Sequence, residues 1–128
     1  MDQNTITLYG IRNCDTVKKA RLWLAENQVE YRFCDFKTAG VPKDRLDQWL
    51  RHIPWETLLN RQGNTWRKLE EVTRASVVDA ASARSVMLAQ PSAIKRPVVE
   101  WDTQDAGDVT VGFKPTLWAA RFDKARRR

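Results

Sequence analysis

The chain has 128 residues and a mass of 14.9 kDa, the size of one domain with room for a buried core. With 42% hydrophobic and 30% charged residues it is neither disordered nor membrane-like in composition, and no apolar run approaches the ~20 residues of a spanning helix. The formal charge of +6, with a pI near 9.7, raises nucleic acid or another polyanion as a partner, to be judged by where the charge lies.

The N-terminal Met-Asp-Gln-Asn lacks the basic and apolar regions of a signal peptide, so a cytoplasmic location is expected. Two cysteines and one histidine make neither a disulfide scaffold nor a zinc site, so no metal is expected.

Thr5–Tyr9 alternates β-formers into Gly10 and reads as a first strand. Asn13 is an N-cap candidate for a helix from Cys14 to Gln28, with Val17, Ala20, Trp23 and Leu24 at helical spacing. Val29–Phe36 alternates with period two, as a half-buried second strand does. These three segments make a βαβ unit with parallel strands and a right-handed crossover.

The middle reads as helical. Pro42 stands near a helix start, and Leu46, Trp49, Leu50 and Ile53 fall at i, i+3, i+4 and i+7, with His52 off that stripe and therefore on the surface. Trp55–Leu59 predicts a short helix closed by Gly63, and Thr65–Glu71 another turn or two. Ser76-Val-Val-Asp79 fits a capping box opening a helix that Pro91 stops near Gln90.

Pro97–Trp101 and Asp108–Gly112 read as a hairpin with a polar connection over 102–107, and Pro115–Arg126 returns to helix. The order βαβ, helices, ββα, without a linker, predicts one α/β domain over residues 1–120 with a helical insertion at about 42–92. The six tryptophans follow the apolar pattern and are expected in the core.

The chemistry concentrates at Gly10–Thr16, where strand meets helix. A thiol at a helix N-terminus faces unpaired N–H groups and the positive end of the helix dipole, which favour thiolate. Arg12, Lys18 and Lys19 add positive potential. Such surroundings bring a free-thiol pKa of ~8.5 to between ~3.5 and ~7.5 and also draw an anion. The alternative is an inert, packed cysteine. Asn13 is a cap or a pocket donor, and the Thr16 hydroxyl faces either the Cys14 sulfur or backbone. Val17 occupies the place of a second thiol in a Cys-x-x-Cys pair, so no dithiol cycle runs in this turn. Cys34 is the other thiol, expected to face a sheet surface unless its Cα lies within roughly 7 Å of that of Cys14.

Ile6–Ala20, Trp55–Arg61, Thr65–Leu69 and Ile94–Val99 together resemble the arsenate reductase-like family of thioredoxin-fold proteins, with its ArsC, YffB and Spx branches. The likeness to the YffB-like branch rests on Asn13-Cys-Asp-Thr16 and Asn60-Arg-x-Gly-x-Thr-Trp-Arg67. The resemblance implies a thioredoxin fold with helices between its βαβ and ββα halves, Cys14 as nucleophile, Arg96 as an oxyanion-binding arginine and Pro97 as a cis proline. A second oxyanion arginine falls on Asn60, or on Arg61 after a one-residue shift; a third falls on Lys114. Lysine keeps the charge but loses the bidentate fork suited to a tetrahedral oxyanion. The implied activity is thiol-dependent reduction without a tightly bound cofactor, completed by glutathione or the glutaredoxin system acting on a small anionic or thiol substrate.

The alternative is an Spx-like regulator that binds RNA polymerase, without that branch's Cys-x-x-Cys. The charge decides against nucleic acid: residues 121–128 hold five basic residues and one acidic, whereas the other 120 carry 17 basic against 15 acidic. The excess belongs to a C-terminal tail over 121–128, expected to be frayed. No membrane contact is expected.

Overall fold

The computed structural model describes residues 5–102, 105 and 107–126, the side chains of 123–126 excepted. Strand β1 (Ile6–Gly10), helix α1 (Asp15–Glu26) and strand β2 (Tyr31–Asp35) form the βαβ unit; the strands are parallel, with Ile6 opposite Tyr31 and Gly10 opposite Asp35. Helix α1 buries Val17, Ala20 and Leu24 completely, one stripe at helical spacing. It ends earlier than its apolar pattern suggests, because Gln28 turns the chain at φ 58°. Strand β2 is shorter than predicted at both ends. Its last residue, Asp35, accepts the Lys37 N–H at 2.9 Å and caps a helical turn, α2 (Phe36–Ala39).

The insertion consists of α3 (Lys43–His52), α4 (Trp55–Leu58), α5 (Asn64–Arg67), α6 (Glu71–Ala75) and α7 (Ala80–Ala89), followed by a 3-10 turn at Pro91–Ala93. His52 is exposed at the end of α3, as predicted. The capping box differs from the one predicted. Asp79 is the N-cap and pairs with Ser82, its carboxylate accepting the Ser82 N–H at 2.9 Å while the Ser82 hydroxyl accepts the Asp79 N–H at 3.1 Å. Ser76 instead closes α6, donating to the Thr73 carbonyl at 2.6 Å.

Strands β3 (Val98–Glu100) and β4 (Val109–Val111) form the antiparallel hairpin, and α8 (Pro115–Arg126) follows. Of the predicted polar connection, residues 103, 104 and 106 lie outside the described residues. The sheet order is β2-β1-β3-β4, with β3 antiparallel to β1. Helix α8 continues through residues the charge pattern gives to a tail. Arg121 pairs with Asp108 at 2.9 Å, and the Phe122 ring lies 6.1 Å from that of Trp101. The packed domain therefore extends past position 120; residues 127 and 128 lie outside the described residues.

The sheet separates two cores. On the face covered by α1 and α8, Trp118 meets Trp101, Trp23 and Phe113 edge-on, with centroids 5.0, 5.7 and 4.8 Å away. On the other face the insertion packs Leu46, Trp49, Leu58 and Met87 against Tyr9 and Val98. Every tryptophan is buried or partly buried, as the pattern predicts.

Glu100 ties the insertion to the sheet. Its side chain, 12% exposed, accepts hydrogen bonds from Tyr9 Oη at 3.0 Å, Arg45 Nε and Nη2 at 2.8 and 2.6 Å, and Trp49 Nε1 at 2.9 Å. Burial and the Glu100 charge push the Tyr9 phenol well above its ordinary range, so it remains a donor. Removing the carboxylate strands three donor side chains, Tyr9 on β1 and Arg45 and Trp49 on α3. Glu100→Leu is expected to cost about 2–3 kcal/mol in denaturant unfolding. Asp47→Ala, which opens the more exposed pair with Arg84, is expected to cost under ~1 kcal/mol.

Candidate active site

The site begins with a glycine. A Cβ on Gly10 would lie 2.7 Å from Cγ2 of Val17, a side chain with no exposure and no room to move. Glycine thus lets the end of β1 approach the first turn of α1. The link between them is tight: the Cys14 N–H donates to the Ile11 carbonyl at 3.1 Å, and the Cys14 carbonyl accepts from Lys18 at 2.9 Å. Cys14, not Asn13, is the N-cap, with extended backbone at φ −87° and ψ 127°. Asn13 is exposed in the preceding turn.

Among the described residues no side-chain cap of ordinary geometry closes this helix. A neutral thiol is a poor acceptor; a thiolate is a better one. Partial burial raises the cost of the charge. Against it act the N–H of Val17, the hydrogen bond and charge of the Arg96 guanidinium, and the N–H of Thr16. Together they hold the Cys14 thiol below its ordinary pKa, which favours the activated reading over the inert one. Thr16 contributes through its backbone amide.

Arg96 is delivered by a clamp between insertion and sheet. Leu59 and Ile94 form an isolated antiparallel bridge, with the Asn60 N–H on the Ala93 carbonyl at 2.7 Å and the Lys95 N–H on the Leu58 carbonyl at 2.8 Å. Arg96 Nη1 donates to the Ser92 and Ile94 carbonyls at 2.6 and 3.2 Å, which fixes the guanidinium. Its Nε is buried and has no hydrogen-bond partner among the described residues. The Arg96–Pro97 peptide is cis, as the resemblance implies. The Pro97 carbonyl accepts the N–H of Gly112 at 2.8 Å; Gly112 has φ 88°, a conformation that favours glycine. That turn carries Lys114 to the site.

The result is a cleft of about 310 Å³ lined by Cys14, Thr16, Asn60, Lys95, Arg96 and the segment Gly112–Lys114. Three cations face it, and no acidic residue lines it among the described residues. Of the two candidate registers, Asn60 reaches the cleft. Arg61 stands in an adjoining depression, its guanidinium 5.4 Å from the Trp55 ring centroid. Arg12 points elsewhere as well, lying 5.8 Å from the centroid of Phe33. Both are corrections to the predicted anion-binding set, with the same cause: an aromatic face next to each arginine takes the guanidinium. Lys95 is the lining cation missed from sequence, although it stands beside Arg96 and next to the bridge at Ile94.

Cys34 lies opposite Tyr9 in the sheet and packs against the core on the insertion side. Burial, then the Asp35 charge, pushes its thiol up. The two thiols are free and differ in opposite directions. Among the described residues no cluster of His, Cys, Asp and Glu could hold a metal, and no helix is long and apolar enough to cross a membrane.

Two half-folds parted by helices, with a stabilised thiol where the first strand meets the first helix, define a thioredoxin-like α/β protein. The chain belongs to the ArsC family, whose model matches residues 9–120. An uncharacterized protein of Haemophilus influenzae is 38% identical over 117 residues, which span 91% of this chain and 98% of that protein. The solved structure of a YffB protein superposes with a TM-score of 0.83 at 49% identity, covering 91% of this chain and 97% of the other. An arsenate reductase (ArsC) related protein from Brucella melitensis gives a TM-score of 0.71 at 51% identity, covering 95% and 98%. At greater distance, the global transcriptional regulator Spx of Streptococcus pyogenes is 23% identical over 111 residues, 84% of this chain and 78% of that protein.

The pH dependence of alkylation checks the electrostatics. The rate at Cys14 is expected to rise through a midpoint below the ~8.5 of a free thiol, and that at Cys34 through one above it. Arg96→Met is expected to move the Cys14 midpoint upward.

Stability gives an independent check on the open helix end. A serine hydroxyl caps where a neutral thiol does not, so Cys14→Ser is expected to stabilise the fold by about 1 kcal/mol at pH below the Cys14 pKa. A depressed thiol pKa adds stability to the wild type as pH rises through it. The advantage of the serine variant therefore shrinks toward alkaline pH, as followed by urea unfolding at several pH values.

Proposed function

We propose that this protein is a thiol-dependent reductase that works through a covalent adduct on Cys14 and is completed by glutathione or another external thiol. The observation that carries the reading is the Cys14 thiol held below its ordinary pKa in a cleft lined by three cations and, among the described residues, by no acid. The Cys14 thiolate attacks one sulfur of a disulfide; a Cys14–S–S bond forms, the substrate S–S bond breaks, and the departing thiolate takes a proton from water. A second thiolate, from glutathione, then attacks the adduct and releases Cys14 as thiolate. The regenerating thiol comes from outside because Val17 stands where a resolving cysteine would be.

Arg96, Lys95 and Lys114 hold the carboxylates of an anionic thiol and stabilise charge on the departing group. Asn60 and Lys114, standing where arsenate reductases carry arginine, favour a disulfide over arsenate as substrate, since neither supplies a bidentate fork. The reading is of a cytoplasmic enzyme, consistent with two free thiols.

The likeness to Spx supports a second reading, in which the domain binds RNA polymerase without catalysis. One experiment separates the two: arsenate and a glutathione mixed disulfide are offered side by side with glutathione as reductant. The mixed disulfide is expected to be turned over faster than arsenate, with a glutathione adduct on Cys14 by intact mass that is absent in Cys14→Ser. Arg96→Met is expected to lower kcat/KM by roughly 100-fold. Turnover that persists in Cys14→Ser would sink the mechanism. Absence of turnover, with RNA polymerase retained equally by Cys14→Ser, establishes the regulator.

A further inference from the structure

The thiol cleft shares part of its wall with a second space of different character. Gly112 and Lys114 line both the cleft and a groove of about 450 Å³ that runs between the α3–α4 link, the edge of β4 and the start of α8. Ile53, Pro54, Val111 and Trp118 form its apolar lining, and Leu117 stands on the rim with 61% of its surface exposed.

The backbone along this groove is shaped for a strand. β4 is an edge of the sheet. The Trp101 N–H donates to the Asp108 carbonyl at 3.0 Å and the Gly112 N–H to the Pro97 carbonyl at 2.8 Å, so residues 108, 110 and 112 turn their polar groups toward β3. In an antiparallel ladder the intervening residues face the other way. The N–H and C=O groups of Val109 and Val111 therefore point out of the sheet. Charge adds a direction: Lys114 stands where groove and cleft meet, and no acidic residue lines the groove among the described residues.

We propose that the groove binds an extended segment of a protein substrate, the segment that carries the cysteine whose mixed disulfide Cys14 attacks. The segment pairs with the outer edge of β4 through Val109 and Val111, sets an apolar side chain against Ile53, Val111 and Leu117, and turns an acidic residue toward Lys114. This rests on the reductase reading of Cys14 and names its substrate class: a protein–glutathione mixed disulfide. The Cys14 thiolate takes the glutathionyl sulfur, the protein cysteine leaves as thiolate and is protonated by water, and a second glutathione releases Cys14 with formation of glutathione disulfide. A tetrahedral oxyanion needs neither an apolar groove nor a strand edge.

The test uses three glutathione mixed disulfides: a peptide with leucine two residues from its cysteine, the same peptide with serine there, and free cysteine. The leucine peptide is expected to show about tenfold higher kcat/KM than the other two, and Leu117→Glu is expected to remove that preference. Leu117 is exposed, so the variant leaves the core intact. Binding is read separately by amide NMR shifts on adding the reduced leucine peptide, expected at Val109 and Val111.

Equal turnover of all three without shifts on β4 overturns the groove and leaves the reductase standing. Shifts on β4 that weaken in Leu117→Glu, with no turnover of any substrate, uphold the groove and overturn the reductase. Shifts that appear on concentrating the protein alone assign the groove to a second copy of this chain and overturn the proposal.

Discussion

The close approach of β1 to α1 is the constraint on which the site is built. Because Gly10 has no Cβ, the last residue of β1 lies against Val17, and only three residues separate the end of the strand from the N-cap of the helix. The first-turn amides of α1 therefore converge at the carboxyl end of a parallel strand pair. Cys14 is the N-cap there and brings sulfur where serine or aspartate would bring oxygen. An oxygen would satisfy those amides; sulfur leaves them available to a negative charge. Stability given up at the helix end is thus what makes the thiol acidic.

The insertion contributes in a different way. Through Glu100 it is fixed to β1 and β3, and through the Leu59–Ile94 bridge it is fixed to the segment preceding Pro97. These attachments place Asn60 and Lys95 on the same cleft as Arg96. The half of the fold that brings the thiol and the half that brings the cations are thus held in register by a part of the chain that supplies only one lining residue.

Much of this is legible in the sequence, for identifiable reasons. Elements with strong periodicity, such as α1 and α3, stand out because one face is buried. Cys14, Arg96 and the cis Pro97 sit in motifs dense enough to carry the resemblance. What fails is local competition between near-equal options. Asn13 and Cys14 both stand where an N-cap can be, and backbone geometry chooses Cys14. Ser76 and Asp79 both fit a cap; Asp79 wins because Ser82 reciprocates. Arg61 and Arg12 are basic and close in sequence to the site, yet Trp55 and Phe33 offer them aromatic faces that no spacing rule reports. Asn60 and Lys95 reach the cleft through a two-residue bridge between segments more than thirty positions apart, too short to leave a periodic trace.

The opposite displacement of the two thiols has a consequence for control. A chain with one acidic and one reluctant cysteine has a single point at which an electrophile registers, and no partner sulfur inside its own first helical turn to erase the record. On the reductase reading, an adduct formed at Cys14 lasts until an external thiol removes it, and the occupancy of that one sulfur follows the balance of oxidised and reduced thiols in the surrounding solution.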